Sequence, residues 1–249
     1  AVDAAGRLYV ADQNNSRISR GTPAAHPPSA SLTSLSGLGS TTVTLGGSVT
    51  PNGLATTAVF DYGPTIAYGS TIAATPASLQ GTAAQDVSVS LSGLLAGSTY
   101  YYRLRVTNVD GTQNSTGGAF TTLTLTQGWR QTHFGSPANS GSAADAADPD
   151  QDGLPNLLEY ALNLPPNAAS RVPAHVQEAG GNLEYTYTRS TAAYNGGTTF
   201  QVEWSDDLTT WFTTGVVESL ISDDGTQQQV KATLPAGSGG RRFVRMRVQ

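Results

Sequence analysis

The chain has 249 residues, enough for about two ordinary domains, and carries a formal net charge of −5 at pH 7. Only 12% of the residues are charged and Lys231 is the only lysine, so the sequence lacks the basic patch that nucleic-acid binding requires. It contains no cysteine, which excludes disulfides and thiolate metal sites, and no apolar run of about 18 residues that would predict a membrane span.

The first 28 residues form a distinct segment. A turn at Asp3-Ala-Ala-Gly6 lies between short apolar stretches and predicts a β-hairpin. Residues 2–18 resemble one repeat of an NHL propeller. A single repeat cannot close a propeller, so the resemblance implies that the chain begins within a larger architecture; the alternative is a self-contained hairpin. The prolines in residues 21–28 predict a linker, so 1–28 is expected to be a hairpin arm plus linker.

Residues 29–123 alternate apolar and polar residues in short runs, a pattern typical of a β-sandwich. Residues 95–108 resemble strand F of a fibronectin type III domain. The resemblance implies that Tyr100 is the tyrosine-corner residue, bonded through its hydroxyl to nearby backbone. Alternation along the strand places Tyr102, Leu104 and Val106 in the core, and the two arginines between them, Arg103 and Arg105, in solvent. A Tyr- and Arg-rich strand can also be a ligand-stacking face, and that alternative stays open.

Residues 124–170 are predicted to be a connector that contains a calcium loop. The run from 148 to 159 fits the template D-x-[DN]-x-[DN]-G-x5-E at every fixed position. Calcium takes six to eight oxygen ligands, and Gly153 permits the sharp turn at loop position 6. The predicted Ca2+ ligands are Asp148, Asp150, Asp152, the Leu154 carbonyl, Asn156 and Glu159. The alternative is an acidic surface turn without an ion.

The residues around the loop predict the kind of calcium site. Pro155 suits the first turn of a helix, and Pro165 and Pro166 end that helix soon afterwards. The Gly- and Ser-rich residues 136–147 are not helical in pattern, so we expect a loop followed by one short helix. This arrangement resembles a calcium repeat of dockerins and thrombospondin type 3 segments, in a single copy. We expect a structural clamp that orders the junction between two sandwiches, with affinity on the order of 10⁻⁴ to 10⁻³ M.

Residues 171–249 contain a second set of alternating segments and are predicted to be a C-terminal β-sandwich. Asn195-Gly196 and Asp224-Gly225 predict hairpin turns, and residues 215–217 predict a short strand. The segment resembles a C-terminal module that follows DxDxDG segments in large bacterial surface proteins. Trp204 and Trp211 are expected to fill the core, with a carbohydrate platform as the alternative. Upstream, Trp129 and Phe134 are expected to hold the connector against a neighbouring domain.

The sequence therefore predicts an all-β protein: two β-sandwich domains of the immunoglobulin and fibronectin type III kind, joined by a calcium-loop connector with one short helix. We find no G-x-S-x-G, H-E-x-x-H, P-loop or G-x-G-x-x-G motif, which favours a non-catalytic protein. We expect a calcium-stabilised structural or adhesive protein, extracellular or at the cell surface, with other surface proteins or a second copy as partners. Strand donation by the N-terminal arm to the next chain would make the chain a filament subunit, whereas donation within the same chain would give a compact monomer. The alternative is a carbohydrate-binding accessory region of a secreted enzyme.

Overall fold

The computed structural model describes residues 1–4, 7–21, 26–235, 237 and 241–249, and the chain divides into two compact units. The first unit comprises Ala1–Leu38, Thr42–Gly93 and Thr99–Thr121, and the second comprises Gly39–Thr41, Leu94–Ser98 and Thr122–Gln249. Antiparallel sheets dominate both units, which confirms the predicted all-β, sandwich-type fold. Within the described ranges, no helix is long and apolar enough to cross a membrane.

The N-terminal arm is a two-stranded hairpin. Strand β1 (Leu8–Asp12) pairs antiparallel with β2 (Arg17–Gly21), and Val2 forms an isolated bridge with Leu8. Both faces of this hairpin carry exposed side chains, since two strands alone cannot bury an apolar surface. Residues 5–6 of the predicted turn and residues 22–25 of the predicted linker lie outside the described residues.

Eight further strands build the sandwich of the first unit. They are β3 (Ser29–Ser36), β4 (Val43–Thr50), β5 (Thr56–Gly63), β6 (Ser70–Leu79), β7 (Gln85–Leu91), β8 (Thr99–Asn108), β9 (Gly111–Asn114) and β10 (Gly118–Thr121). The hydrogen-bonded order is β10-β8-β5-β6-β7-β4-β3, with β9 also on β8. Strand β6 pairs along β5 but meets β7 only at Thr75, opposite Ser88. The strand path therefore folds at β6 into two layers.

The core of this sandwich lies between β4 and β8. Leu104 and Val106 of β8 are fully buried, and Tyr102 is nearly so, as the alternation predicted. Gly47 of β4 lies where a Cβ atom would come within 2.5 Å of Leu104 Cδ2 and 2.9 Å of the Ser31 carbonyl oxygen. Only glycine therefore permits this close approach of the two layers.

The described residues of the second unit form two further sheets, three α-helices and a 3-10 helix at Gly141–Ala143. A four-stranded sheet has the order β11 (Ala174–Ala179), β12 (Asn182–Ser190), β15 (Gln227–Pro235), β14 (Val217–Asp223). A two-stranded sheet pairs β13 (Phe200–Ser205) with β16 (Phe243–Val248). Between them lies one apolar cluster made of Tyr185, Tyr187, Val202, Val230, Ala232 and Leu234, with Phe200, Trp204, Val244 and Met246 against it.

The helices differ most from the sequence prediction. The single predicted helix is α2 (Asn156–Leu162), but α1 (Leu125–Phe134) and α3 (Thr191–Asn195) are also present. Helix α1 begins with a capping box between Thr124 and Gln127, a recognisable pattern that the prediction overlooked. The predicted hairpin turn at Asn195-Gly196 is wrong, because Ser190 caps α3 and those residues end that short helix instead. The turn at Asp224-Gly225 does join β14 to β15, although β14 begins only at Val217.

Helix α1 is held against α2 by aromatic side chains. The Trp129 ring lies 5.6 Å from that of Tyr160 and 5.8 Å from that of Phe134, measured between ring centroids. Trp129 therefore joins two elements of the second unit. The sequence had suggested that it would contact a separate domain.

Candidate metal centre

The three alternating aspartates of the loop converge. One carboxylate oxygen from each of Asp148, Asp150 and Asp152 lies within 4.8 Å of the others. The loop closes through backbone amides, since Gly153 N donates to Asp148 Oδ2 at 2.9 Å and Leu154 N donates to Asp152 Oδ1 at 2.8 Å. Gly153 adopts a φ of 91°, the left-handed conformation that the sixth position of such a loop requires.

Helix α2 carries the last predicted ligand into this cluster. Pro155 precedes the helix with an extended backbone, and the next turn places Glu159 inside the protein with 0% exposure. The start of α2 is fastened to the segment before the loop, because Asn156 N donates to the Ala147 carbonyl and Leu157 N to the Asp145 carbonyl. The loop and the helix are therefore positioned by the same short stretch of chain.

Several oxygens of this cluster are buried without any hydrogen-bond donor among the described residues. They are Asp148 Oδ1, Asp150 Oδ2, Asn156 Oδ1, Glu159 Oε1 and Glu159 Oε2. Buried carboxylates in proteins are otherwise paired, hydrogen-bonded or bound to a metal. All five atoms are acceptors on three acidic side chains and one amide, which is the donor set that a hard cation prefers.

The burial of Glu159 and its nearness to the three aspartates also change its pKa. Burial is the main factor that raises the pKa of Glu159, to about 7, and the charges of Asp150, Asp152 and Asp148 raise it further. A carboxylate with this pKa is held in its charged form only weakly, since desolvation and like charges both oppose ionisation. A bound divalent cation would offset both effects.

Asn156 and Asp152 also make hydrogen bonds to segments outside residues 148–159. Asn156 Nδ2 donates to the carbonyls of Ser142 and Ala144 at 2.8 and 2.7 Å, which leaves only its Oδ1 for a ligand role. Asp152 accepts from Leu154 N through Oδ1 and from Ser170 N through Oδ2. Leu154 follows Gly153 in the loop, two residues before α2 begins at Asn156. The structure thus brings the carboxylates of Asp148, Asp150 and Asp152 within 4.8 Å of one another, and the charges of these three aspartates act on the buried Glu159.

Residues outside the loop that the sequence pattern did not indicate also support it. Asp145 accepts a hydrogen bond from the buried Arg130 of α1 and another from Asn139 Nδ2 at 2.8 Å. Ser170 donates its backbone N–H to Asp152 from the segment after α2. Arg130 and Ser170 are 15 and 18 residues from their partners, so no local spacing could have indicated these contacts.

The tryptophans proposed as a carbohydrate platform are covered by arginines. The guanidinium carbon of Arg242 lies 3.8 Å from the ring centroid of Trp204, and that of Arg245 lies 4.0 Å from Trp211. Phe212 lies 4.8 Å from Trp204, whose Nε1 donates to the Thr214 carbonyl at 2.9 Å. Sugar rings bind to open indole faces, and one face of each of these indoles carries an arginine.

No protein-family model matches the sequence, and no curated protein is significantly similar to it. Solved structures that resemble it include the sensor domain of the anti-sigma factor RsgI4 in Pseudobacteroides cellulosolvens, at 18% identity and a TM-score of 0.32 over 40% of this chain and 98% of that domain. Another is the fibronectin type III domain of human fibronectin type III domain containing protein 3, at 14% identity and a TM-score of 0.27 over 41% of this chain and 91% of that domain. These TM-scores are too low to bear on function.

Proposed function

We propose that this chain is a non-catalytic, extracellular structural protein whose second unit is stabilised by calcium bound at residues 148–159. The observation that carries the proposal is the burial of Glu159, whose two oxygens have no donor among the described residues and whose ionisation is opposed by the charges of three nearby aspartates. A buried charge of this kind costs several kcal/mol unless a counter-charge neutralises it.

The ligand chemistry favours calcium over other divalent ions. Every candidate ligand is an oxygen, and there is no cysteine in the chain and no histidine in the loop, so a zinc or copper site is disfavoured. Magnesium demands near-ideal octahedral geometry, whereas calcium accepts bidentate carboxylates such as Glu159 can provide. Single loops of this type bind at about 10⁻⁴ to 10⁻³ M in extracellular modules, which supports an extracellular or cell-surface location.

An ion at this place would hold the second unit together. Glu159 and Tyr160 are neighbours on α2, and Tyr160 packs on Trp129 of α1. Asp152 Oδ2 also accepts a hydrogen bond from the backbone N–H of Ser170, which lies beyond the end of α2. Binding would therefore fix the loop, both helices and the segment that leads to β11. The function of the ion is structural in this proposal.

The test is isothermal titration calorimetry of chelator-treated protein with CaCl2 and, separately, MgCl2. We expect calcium binding at submillimolar to millimolar concentration and weaker binding of magnesium. Asp150→Ala should abolish the calcium signal, whereas Asp86→Ala, which removes an exposed carboxylate in β7, should leave it unchanged. Absence of binding at several millimolar calcium would refute the proposal.

We further propose that the N-terminal arm mediates self-association. Val2, Leu8, Val10 and Ile18 are 50–72% exposed, on a hairpin that is marginally stable by itself. An arm that binds a second copy head-to-tail generates a filament unless the contacts close into a ring. Deletion of residues 1–20 should abolish assembly in light scattering and electron microscopy. Undiminished assembly without the arm, or a monomeric full-length chain, would contradict this part of the proposal.

A further inference from the structure

Strand β14 is an edge strand of the second unit with a fully exposed, partly apolar row of residues. All seven of its residues, Val217–Asp223, are exposed, including the apolar Val217, Leu220 and Ile221. It pairs with β15 on one side, and no described strand lies on the other. Natural edge strands usually carry lysine, proline or an inward-pointing charge that blocks a new partner. Strand β14 contains neither lysine nor proline; its inward-facing charge is Glu218, and its pairing with β15 is regular from Val217 to Leu220 and shifts register before Ser222.

A groove of about 770 Å³ runs along the inner face of this strand. Leu220, Phe200 and Val230 supply its apolar lining, and Glu218 supplies an acidic group on the same strand face as Leu220. Among the described residues, the opposing sheet has two strands, β13 and β16, which are too few to cover all four strands of the larger sheet, and the groove lies where the cover is missing. The second unit therefore has an incomplete sandwich at this edge.

Strand β2 of the arm has complementary features. It lies at the free edge of its hairpin, and its five residues are all exposed. Ile18 is 72% exposed, and Arg20 lies two residues further on, so the two side chains share one strand face. In an antiparallel pair, placing Ile18 opposite Leu220 automatically places Arg20 opposite Glu218. One register thus matches an apolar pair and an ion pair at the same time.

We propose that β2 of a second copy pairs antiparallel with β14 in this register, with Ile18 entering the groove beside Leu220 and Arg20 beside Glu218. The receiving sheet then has the order β11-β12-β15-β14-β2-β1, which covers both the open edge and the exposed hairpin. The proposal rests on the self-association proposed above and names its acceptor strand. Backbone hydrogen bonds along the edge provide affinity, and the two side-chain pairs set the register.

Disulfide trapping tests the register directly, because the natural chain contains no cysteine. Opposed residues in an antiparallel pair have Cα atoms about 4.5–5.5 Å apart, within the range for a disulfide. Chains with Ile18→Cys, mixed with differently tagged chains with Leu220→Cys, should form a mixed disulfide dimer under mild oxidation. The control replaces Leu220→Cys with Val176→Cys, a residue 48% exposed on β11, the opposite edge of the same sheet. That mixture should not cross-link.

A second pair of variants tests the edge without oxidation. Leu220→Lys places an inward charge on β14 and should abolish assembly of the full chain, while Val176→Lys should leave it intact. We choose Leu220 because it is 56% exposed, whereas Glu218 accepts a hydrogen bond from the buried Tyr187 hydroxyl and its replacement would disturb the core. Unchanged melting temperatures of both variants would show that folding is preserved.

The outcomes separate the two proposals. If deleting residues 1–20 abolishes assembly but Leu220→Lys does not, and no Ile18–Leu220 cross-link forms, self-association by the arm stands and β14 is not the acceptor. If a chain with both Ile18→Cys and Leu220→Cys forms only an intramolecular disulfide, the occupant is the chain's own arm and the second copy is refuted. A full-length chain that remains monomeric at every concentration refutes both proposals.

Discussion

Asp61 on β5 and Arg105 on β8 form a two-pronged ion pair, in which Arg105 donates from Nε to Asp61 Oδ2 and from Nη2 to Asp61 Oδ1, both at 2.9 Å. Arg103 Nε donates to Asp61 Oδ2 at 2.9 Å, and the Thr71 hydroxyl to Oδ1 at 2.8 Å. These bonds, that from Arg105 first, lower the pKa of Asp61 to about 2. The Asp61 carboxylate is buried. Because Arg103 and Arg105 both bond to it from β8, these outward-facing arginines belong to a hydrogen-bond network that links β8 to β5.

This network predicts acid sensitivity of the first unit. The folded-state pKa of Asp61 lies below its ordinary value of 3.8, so the unfolded state binds the proton more tightly. The stabilisation is present above about pH 4 and is lost as the pH falls towards 2. The shift corresponds to about 2 kcal/mol. Asp61→Asn should lower the free energy of unfolding by about that amount at pH 7. It should also flatten the acid limb of the stability curve, which is the fall in the free energy of unfolding below about pH 4. Calorimetry at a series of pH values measures both effects.

The control for this prediction is Asp86→Asn, which changes an exposed carboxylate of β7 in the same unit. It should leave both the stability at pH 7 and the acid limb nearly unchanged. An Asp61→Asn protein with an unaltered acid limb would show that the ion pair does not contribute.

The buried charge of Glu159 predicts opposite effects of one substitution with and without calcium. Glu159→Gln removes a desolvated charge that faces three aspartates, so it should raise the melting temperature of the metal-free protein. The same change should abolish the rise in melting temperature that calcium produces in the natural protein. All three tryptophans lie in the second unit, so their fluorescence reports its unfolding selectively. A calcium-induced rise that survives Glu159→Gln would exclude this residue as a ligand.

Tyr100 is expected to be the tyrosine-corner residue of the first unit. It is 9% exposed, and its ring stacks on that of Phe120 at 5.6 Å. Tyr100→Phe should lower the free energy of unfolding by roughly 1 kcal/mol, because the hydrogen bond expected of a corner hydroxyl would be lost while the ring packing remains. Tyr101→Phe is the matched control, since Tyr101 is the next residue of β8 and faces the other way. Equal stability of the two variants in denaturant titration would contradict the corner role.

The capping box of α1 predicts a measurable loss of stability. Thr124 Oγ1 accepts from Gln127 N at 3.2 Å, and Gln127 Oε1 accepts from Thr124 N at 2.9 Å. Thr124→Ala removes the first of these hydrogen bonds and should lower the free energy of unfolding by about 1 kcal/mol. Because Trp129 lies on this helix, the change should appear as tryptophan-fluorescence unfolding at a lower denaturant concentration. Gln131→Ala, at an exposed position of the same helix, should have little effect. A similar loss in both variants would point to helix propensity instead of capping.

The sequence was most informative where structure is local. Alternation along residues 100–106 assigned the buried and outward positions of β8, since successive strand side chains point to opposite faces. The spacing of Asp148, Asp150 and Asp152 predicted their convergence, because a tight turn brings alternate residues together. The errors at α1 and Asn195-Gly196 were also local: a capping box was overlooked, and a turn dipeptide was given more weight than the cap formed by Ser190.

By itself, therefore, the sequence determined the all-β class, the faces of its strands and the identity of the candidate calcium ligands. Only the tertiary structure decided which charges are buried and what they meet. Asp61 reaches Arg103 and Arg105 across 42 and 44 residues because strand register aligns β5 with β8. Glu159 is desolvated because α2 packs inside the second unit, and the edge of β14 is open because no described strand pairs with its outer side. Contacts of this kind depend on which distant segments pair and how completely they cover each other, and residue spacing along the chain carries no record of either.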